Sequence, residues 1–130
     1  MSEHPNVTLI NDMTCAAVAG DKAALAKLFH DDLRFHVSGP LPKAGDHVGV
    51  EGFLDVIGTI FELTSGDVKL EQQFCIADDE WASEWEHAVL GRNGKTLDTY
   101  NSFVYRFDGG RIAEMWMACT APASNVSFWN

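Results

Sequence analysis

The most constraining feature of the sequence is a change of hydrophobic period near Gly66. Before this residue apolar side chains recur at helical spacing, and after it apolar and polar residues alternate as they do in strands. The clearest helical stripe consists of Val50, Phe53, Leu54, Ile57, Ile60 and Phe61. Helices that come first, followed by a run of strands, predict an α+β domain in which the helices cover one side of the sheet.

Turn signals divide the second half of the chain into four strands. Asp78-Asp79, Asn93-Gly94 and Asp108-Gly109-Gly110 separate predicted strands at about 68–76, 81–91, 97–107 and 112–120. The Asn-Gly pair favours a two-residue type I′ turn. Three successive hairpins predict an antiparallel meander.

Three shorter elements are predicted ahead of the main helix. One helix begins near Pro5 and ends at Gly20, and Asp21 is a suitable N-cap for a second. Residues 33–37 alternate as a strand that stops at Gly39-Pro40, and a loop follows. Because no repeat, linker or low-complexity segment interrupts the 130 residues, we expect a single domain over 1–130.

Charge and composition argue against several classes of function. The net charge is −10 and the nine Lys and Arg residues are scattered, so neither nucleic acid nor an anionic membrane surface is an expected partner. No stretch approaches the roughly 20 apolar residues of a membrane span, and we expect a cytoplasmic protein. Because histidines lack metal-ligand spacing and the glycines at 39–52 lack a phosphate-binding pattern, no metal and no cofactor are expected.

Several local markers accompany this order of elements. They are Gly20-Asp21 followed by Ala24, Leu25 and Leu28, then Asp31-Asp32, the segment HVSGPLPKAGDHVGVEGF, and YRFDGGRIAEMW across the last hairpin. Together they resemble the nuclear transport factor 2-like (NTF2-like) superfamily, which includes ketosteroid isomerases and SnoaL-like polyketide cyclases. The resemblance implies a cone-shaped fold, in which N-terminal helices wrap a curved antiparallel sheet around an apolar pocket.

The catalytic groups of these families are not matched. Ketosteroid isomerases combine an aspartate base with a tyrosine and a protonated aspartate. The resemblance places Val37 or its neighbour His36 at the base position, Met13 at the tyrosine position and Phe103 at the second aspartate position. The stretch that carries a histidine and an aspartate in SnoaL-like cyclases reads Glu-Met-Trp-Met here, at 114–117. A proton-transfer role would then fall to His36, beside the base position, because histidine titrates near neutral pH.

The Asn93-Gly94 turn fixes which residues face each other across the central hairpin. It predicts Glu84 opposite Phe103 and Glu86 opposite Asn101. Since the resemblance puts Asn101 and Phe103 on the pocket side, both glutamates would point there, where an apolar environment raises the pKa of a carboxyl group. The alternative is that both are solvated at the rim of the sheet.

The opposite assignment would bring a different set of side chains into the pocket, namely Trp81, Trp85, His87, Tyr100 and Ser102. We prefer to place these residues on the convex face, where aromatic side chains suit a homodimer interface. A bulge at the last turn would decide whether Trp116 or the pair Met115 and Met117 lines the pocket.

The sequence thus predicts a protein that binds a small, mostly apolar metabolite. The catalytic candidates are His36, Glu86 and Asn101, and the substrate-binding candidates are Met13, Val37, Phe53, Phe61, Phe103, Met115, Trp116 and Met117. One hypothesis is a cofactor-independent isomerase, cyclase, dehydratase or hydrolase that acts by proton transfer. The alternative is a non-catalytic ligand-binding or dimerisation module. In either case residues 122–130 are expected to close the pocket mouth or to pack on a partner subunit.

Overall fold

A computed structural model describes residues 3–130. This part of the chain forms four helices and six strands: α1 Pro5–Ala19, α2 Lys22–Leu28, β1 Phe29–Val37, β2 Gly45–Val48, α3 Gly49–Leu63, β3 Val68–Ala77, β4 Trp81–Arg92, β5 Lys95–Asp108, β6 Arg111–Cys119 and α4 Pro122–Trp129. None of these helices has the length and apolar character needed to cross a membrane.

All six strands belong to one curved sheet with the order β2-β1-β6-β5-β4-β3. The predicted meander from β3 to β6 is antiparallel, but β1 pairs with β6 in parallel, so the sheet is mixed rather than antiparallel throughout. A parallel pair needs a long crossover connection, and here everything from β2 to β5 forms it. Part of the predicted loop after Pro40 is β2, which pairs with β1 at the sheet edge.

The central hairpin has the predicted turn and register. Asn93 and Gly94 have φ angles of 52° and 75°, and positive φ at both central residues is what a type I′ turn requires. Glu86 pairs with Asn101 and Glu84 pairs with Phe103, as predicted. The two turn residues therefore fixed the pairing of β4 with β5.

Two irregularities in the register change the faces of β3 and β6. The partner of Gln72 is Glu86 but the partner of Phe74 is Trp85, so one extra residue inverts the alternation along β3. Phe74 and Ile76 therefore lie exposed, although they continue the sequence alternation of Val68, Leu70 and Gln72.

A similar shift occurs in β6, as the sequence had suggested for the last hairpin. Phe107 pairs with Ile112, but Tyr105 pairs with Met115. The extra residue turns Met115 and Met117 toward the covered face of the sheet, which we call the inner face.

The helices pack on this inner face and create the core. Helix α3 contributes Phe53, whose ring lies 4.9 Å from that of Phe29 and 5.3 Å from that of Phe35, measured between centroids. The fully buried apolar side chains of this cluster include Ile10, Leu25, Phe29, Leu33, Phe35, Phe53, Val56 and Ile112. The apolar stripe predicted for α3 is thus the face that meets the sheet.

The chain ends in a helix, α4, that folds back onto the central hairpin. Phe128 packs against Leu90 and Leu97 on the inner face. Arg92 donates from Nη1 to the carbonyl oxygens of Phe128 at 3.3 Å and Trp129 at 3.1 Å. The hairpin therefore holds α4 over one end of the inner face.

Candidate active site

An apolar cavity lies between the inner face of the sheet and helices α1, α3 and α4. Its volume is about 80 Å³, counted as the space open to the centre of a water-sized molecule. The apolar lining includes Met13, Leu41, Phe53, Ile57, Phe61, Leu70, Phe103, Met115, Met117 and Trp129. Such a lining, interrupted by a few polar groups, is typical of a site for a small apolar ligand.

Helices α1 and α4 add Thr14 and Asn125 to the cavity lining, but most of its polar groups come from β4 and β5. These are Glu84, Glu86, Thr99, Asn101 and Tyr105, each no more than 8% exposed. They share one face because alternate residues of paired strands point the same way. The structure therefore places both glutamates at the cavity, and neither is solvated at the rim of the sheet.

Glu84 is held by hydrogen bonds on both carboxyl oxygens. Tyr105 donates from Oη to Oε1 at 2.6 Å, and Gln72 donates from Nε2 to Oε2 at 2.7 Å. Burial and the neighbouring Glu84 raise the pKa of Tyr105 well above its usual value, so its hydroxyl remains a donor. Gln72 also donates to Asn11 at the surface, which ties this network to α1.

Glu86 differs from Glu84 although the two side chains are neighbours on one strand. Burial, assisted by repulsion from Glu84, raises the pKa of Glu86 to about 7, while the contact with Asn101 opposes the shift. A carboxyl group with this pKa is present in both protonation states near neutral pH. It can therefore give or take a proton, as general acid–base catalysis requires.

Two buried polar atoms of the cavity are unpaired. Thr99 Oγ1 and Asn101 Oδ1 have no hydrogen-bond partner within residues 3–130. The sequence analysis did not include Thr99, although the register of the central hairpin places it on the same face as Asn101. That register was the signal from which it could have been found.

Most of the substrate-binding candidates line the cavity. These are Met13, Phe53, Phe61, Phe103, Met115 and Met117. Val37 is buried in the core but does not reach the cavity wall. The remaining substrate-binding candidate, Trp116, and the catalytic candidate His36 lie elsewhere.

His36 and Trp116 face the opposite side of the sheet, its outer face. Phe35 and Val37 point inward, so His36, between them, must point outward. In β6 the bulge places Trp116 between the inward-facing Met115 and Met117. The rings of His36 and Trp116 stack with centroids 5.3 Å apart. The predicted position of both residues at the pocket is therefore corrected.

On the outer face His36 lies between two carboxyl groups. Its Nδ1 is 2.7 Å from Oδ1 of Asp46 and its Nε2 is 2.6 Å from Oε2 of Glu114. Hydrogen bonding to Asp46, and then to Glu114, raises the pKa of His36 despite partial burial. The hydrogen bond from His36 in turn lowers the pKa of Glu114. This arrangement stabilises an imidazolium ion on the surface, far from the chemistry expected in the cavity.

No metal site accompanies the cavity in the described residues. Across 3–130 no three His, Cys, Asp or Glu side chains are arranged to hold a metal ion. The chemistry available in the cavity is thus that of its two carboxyl groups and their neutral neighbours.

Comparison with known proteins gives a consistent result over most of the chain. A family model described as a SnoaL-like domain matches residues 11–115. The chain is 27% identical over 131 residues to the uncharacterized protein Rv0034 of Mycobacterium tuberculosis (strain ATCC 25618 / H37Rv), and 99% of each sequence is covered.

Solved structures share the fold along nearly the full length. Bal32a, from a soil-derived mobile gene cassette, has a TM-score of 0.86 and 25% identity, with 96% of both chains covered. IdmH from Streptomyces antibioticus, proposed to be a polyketide cyclase, has a TM-score of 0.77 and 17% identity, with 95% of this chain and 97% of IdmH covered. Other structures with this fold are described as NTF2-like, which confirms the predicted cone-shaped architecture.

Proposed function

The chain belongs to the family of SnoaL-like domains, and from this premise we propose that it binds a small, mostly apolar metabolite and transfers a proton on it with Glu86. The observation that carries the proposal is the carboxyl group of Glu86, which has a pKa of about 7 and lines an otherwise apolar cavity. A group of this pKa in a water-poor site is suited to acid–base catalysis.

The proposed reaction needs no cofactor. Ionised Glu86 takes a proton from a carbon next to a carbonyl group, and the electrons of the C–H bond move into an enolate. The neutral Glu86 then returns the proton to another atom of the same conjugated system. The hydroxyl of Thr99, which can rotate, is available to donate a hydrogen bond to an oxygen atom of the metabolite.

The neighbouring carboxyl group has a different part in the proposal. Glu84 already accepts hydrogen bonds from Tyr105 and Gln72, so it is poorly placed to take up a substrate proton. Its charge instead favours the neutral form of Glu86. Two carboxyl groups with different hydrogen-bond partners can thus have separate roles in one cavity.

Proton exchange on a simple probe tests the proposal. The probe is 2-indanone, a small apolar ketone, and the measurement is loss of its α-proton NMR signal in D₂O buffer. We expect the wild-type protein to accelerate exchange and Glu86→Gln to reduce the acceleration by about 10²-fold or more. His36→Gln is the matched control, because it removes a titrating group on the outer face. Equal acceleration by wild type and folded Glu86→Gln would contradict the proposal.

A specific observation favours a second, non-catalytic function. Met13, Val37 and Phe103 occupy the positions that carry catalytic groups in ketosteroid isomerases, and a purely binding cavity needs no acid or base. If this function is correct, 2-indanone binds but its exchange rate stays at that of buffer. The same experiment therefore separates the two functions.

We also propose that two copies associate through the outer face. Side chains between 37% and 66% exposed form what we call the outer patch, consisting of Phe74, Ile76, Trp81, Tyr100 and Val104. Stacked aromatic pairs run through it, with Trp81 on Trp116 at 6.1 Å and Trp85 on Tyr100 at 5.5 Å between centroids. Exposed apolar surface of this kind is typical of protein interfaces.

A further inference from the structure

Two polar side chains in the cavity have unmet hydrogen-bonding capacity. Thr99 and Asn101 are 4% and 5% exposed, and within the described residues neither Oγ1 nor Oδ1 has a partner. Native proteins pair nearly all buried polar atoms, and an unpaired one costs about 1–3 kcal/mol. Two such atoms two residues apart on one strand face point to a group that the cavity is built to receive.

The chemistry of the two atoms limits what that group can be. Asn101 Oδ1 can only accept a hydrogen bond, so its partner must be a donor. Thr99 Oγ1 can both donate and accept. A hydroxyl group satisfies both atoms, whereas an ether or a carbonyl oxygen offers no donor.

Charge argues for a hydroxyl group over a carboxylate or an ammonium group at this position. A carboxylate would be repelled by Glu84 and by ionised Glu86, which lie on the same inner face. An ammonium group would bring a full charge into an apolar wall, which is costly without a fixed counter-ion. Glu84 already accepts hydrogen bonds from Tyr105 and Gln72, and Glu86 is neutral in part of the population near neutral pH, so neither is a free and constant counter-ion.

The register of the hairpin leaves room beside these atoms. Thr99 lies opposite Ala88, whose side chain is small, and both residues line the cavity. Toward the turn, the next pair on the inner face is Leu90 with Leu97. Away from the turn, the next pair is Glu86 with Asn101. The polar position thus has an apolar wall on one side and the titrating carboxyl group on the other.

We infer that the ligand is a hydroxylated, mostly apolar molecule whose hydroxyl group sits between Thr99 and Asn101, next to Glu86. This inference rests on the proposed binding function of the cavity but does not depend on proton transfer by Glu86. It makes Thr99 and Asn101 the residues that determine ligand specificity.

Matched probes test the inference through binding alone. The probes are 4-ethylphenol, ethylbenzene, 4-ethylanisole and 2-phenylethylamine, each titrated into the wild-type protein by calorimetry or NMR. We expect 4-ethylphenol to bind about tenfold more tightly than each of the others, since one well-formed hydrogen bond is worth roughly this factor. A preference for the ether or the amine overturns the inference.

Isosteric variants identify the residues responsible. Thr99→Val and Asn101→Leu remove the polar atoms while keeping the volume, and we expect the double variant to lose the preference for 4-ethylphenol while it still binds ethylbenzene. Ser102→Ala, on the other face of the same strand, is the control and should keep the preference. A preference that survives in the double variant also overturns the inference.

The outcomes distinguish this inference from the proposed function. Equal affinity for 4-ethylphenol and ethylbenzene in wild type overturns the hydroxyl inference alone, because the cavity still binds apolar molecules. Failure of all four probes to bind overturns the binding function together with the inference. Loss of proton exchange with an intact phenol preference contradicts only the catalytic part of the proposed function.

Discussion

At the scale of single residues, the cavity depends on the contrast between Glu84 and Glu86. Both are buried on the same strand face, but only Glu84 has fixed donors on both oxygens. Hydrogen bonds to a carboxylate favour its charged form, and burial without them favours the neutral form. Two residues with similar burial are therefore given different chemistry by Gln72 and Tyr105.

The raised pKa of Glu86 predicts how folding stability depends on pH. The folded-state pKa of about 7 lies above the ordinary value of 4.5, so the folded state binds this proton more tightly than the unfolded state. Protonation of Glu86 therefore contributes to the free energy of unfolding. The contribution is fully present below about pH 4.5 and is lost as the pH rises through about 7. Glu86→Gln removes this dependence, and its stability relative to wild type should increase by up to roughly 3 kcal/mol between about pH 5 and about pH 8.

Urea denaturation at those two pH values provides the measurement. Glu71→Gln, a change at an exposed residue of β3, serves as the control and should follow the wild-type curve. If Glu86→Gln and wild type lose stability in parallel, Glu86 is not the group that titrates.

At the scale of elements, helix α4 forms one wall of the cavity. Asn125 and Trp129 line the cavity wall, and the indole Nε1 of Trp129 donates to Asn125 Oδ1 at 3.0 Å. The helix has few residues, so its position depends on the donors that hold its last carbonyl groups. Those donors are Arg92 and Lys95, on either side of the central turn.

Loss of Arg92 should therefore loosen the helix without unfolding the sheet. Arg92→Met keeps much of the apolar stem but removes hydrogen bonds to the carbonyl groups of Phe128 and Trp129. We expect faster hydrogen exchange at the amides of 125–130 and a dissociation rate of 4-ethylphenol that rises by about tenfold, as one to two lost hydrogen bonds imply.

Arg34→Met is the matched control, because Arg34 is exposed on β1 and does not contact α4. Unchanged exchange and dissociation in Arg92→Met would show that the helix is held by Phe128 and its apolar contacts alone.

At the scale of the whole molecule, the two faces of the sheet have opposite surroundings. The inner face is covered by helices, whereas the outer patch leaves aromatic and aliphatic side chains exposed. Two copies that each carry a net charge of −10 repel each other at charged surfaces. An apolar surface is therefore the more favourable place for them to associate. This is the physical basis of the proposed homodimer.

Light scattering after size exclusion tests the dimer directly. We expect wild type to have twice the mass of the 14.3 kDa chain, and Ile76→Lys together with Tyr100→Lys to shift the protein to monomer, because buried unpaired ammonium groups are costly. Val48→Lys, at an exposed apolar residue outside the outer patch, should leave the mass unchanged. A wild-type monomer at micromolar concentration would refute the outer patch as a self-association surface.

Local chemistry was sufficient to predict most of the elements and part of their pairing. The apolar stripe from Val50 to Phe61 predicted α3, and Asn93-Gly94 fixed the hairpin that brings Glu86 opposite Asn101. Such features depend on residues close in sequence, whose spacing and backbone preferences can be read directly. The position of Glu86 and Asn101 opposite each other on β4 and β5 was therefore predictable from the sequence.

Which face became the inside was decided only by the tertiary structure. The alternation in 33–37 does not say whether Val37 or His36 points to the pocket, and the bulge in β3 has no distinct local sequence signal. The parallel pairing of β1 with β6 and the anchoring of α4 join segments far apart in the chain. These features depend on which surfaces bury the most apolar area together, and that is a property of the assembled fold rather than of any single segment.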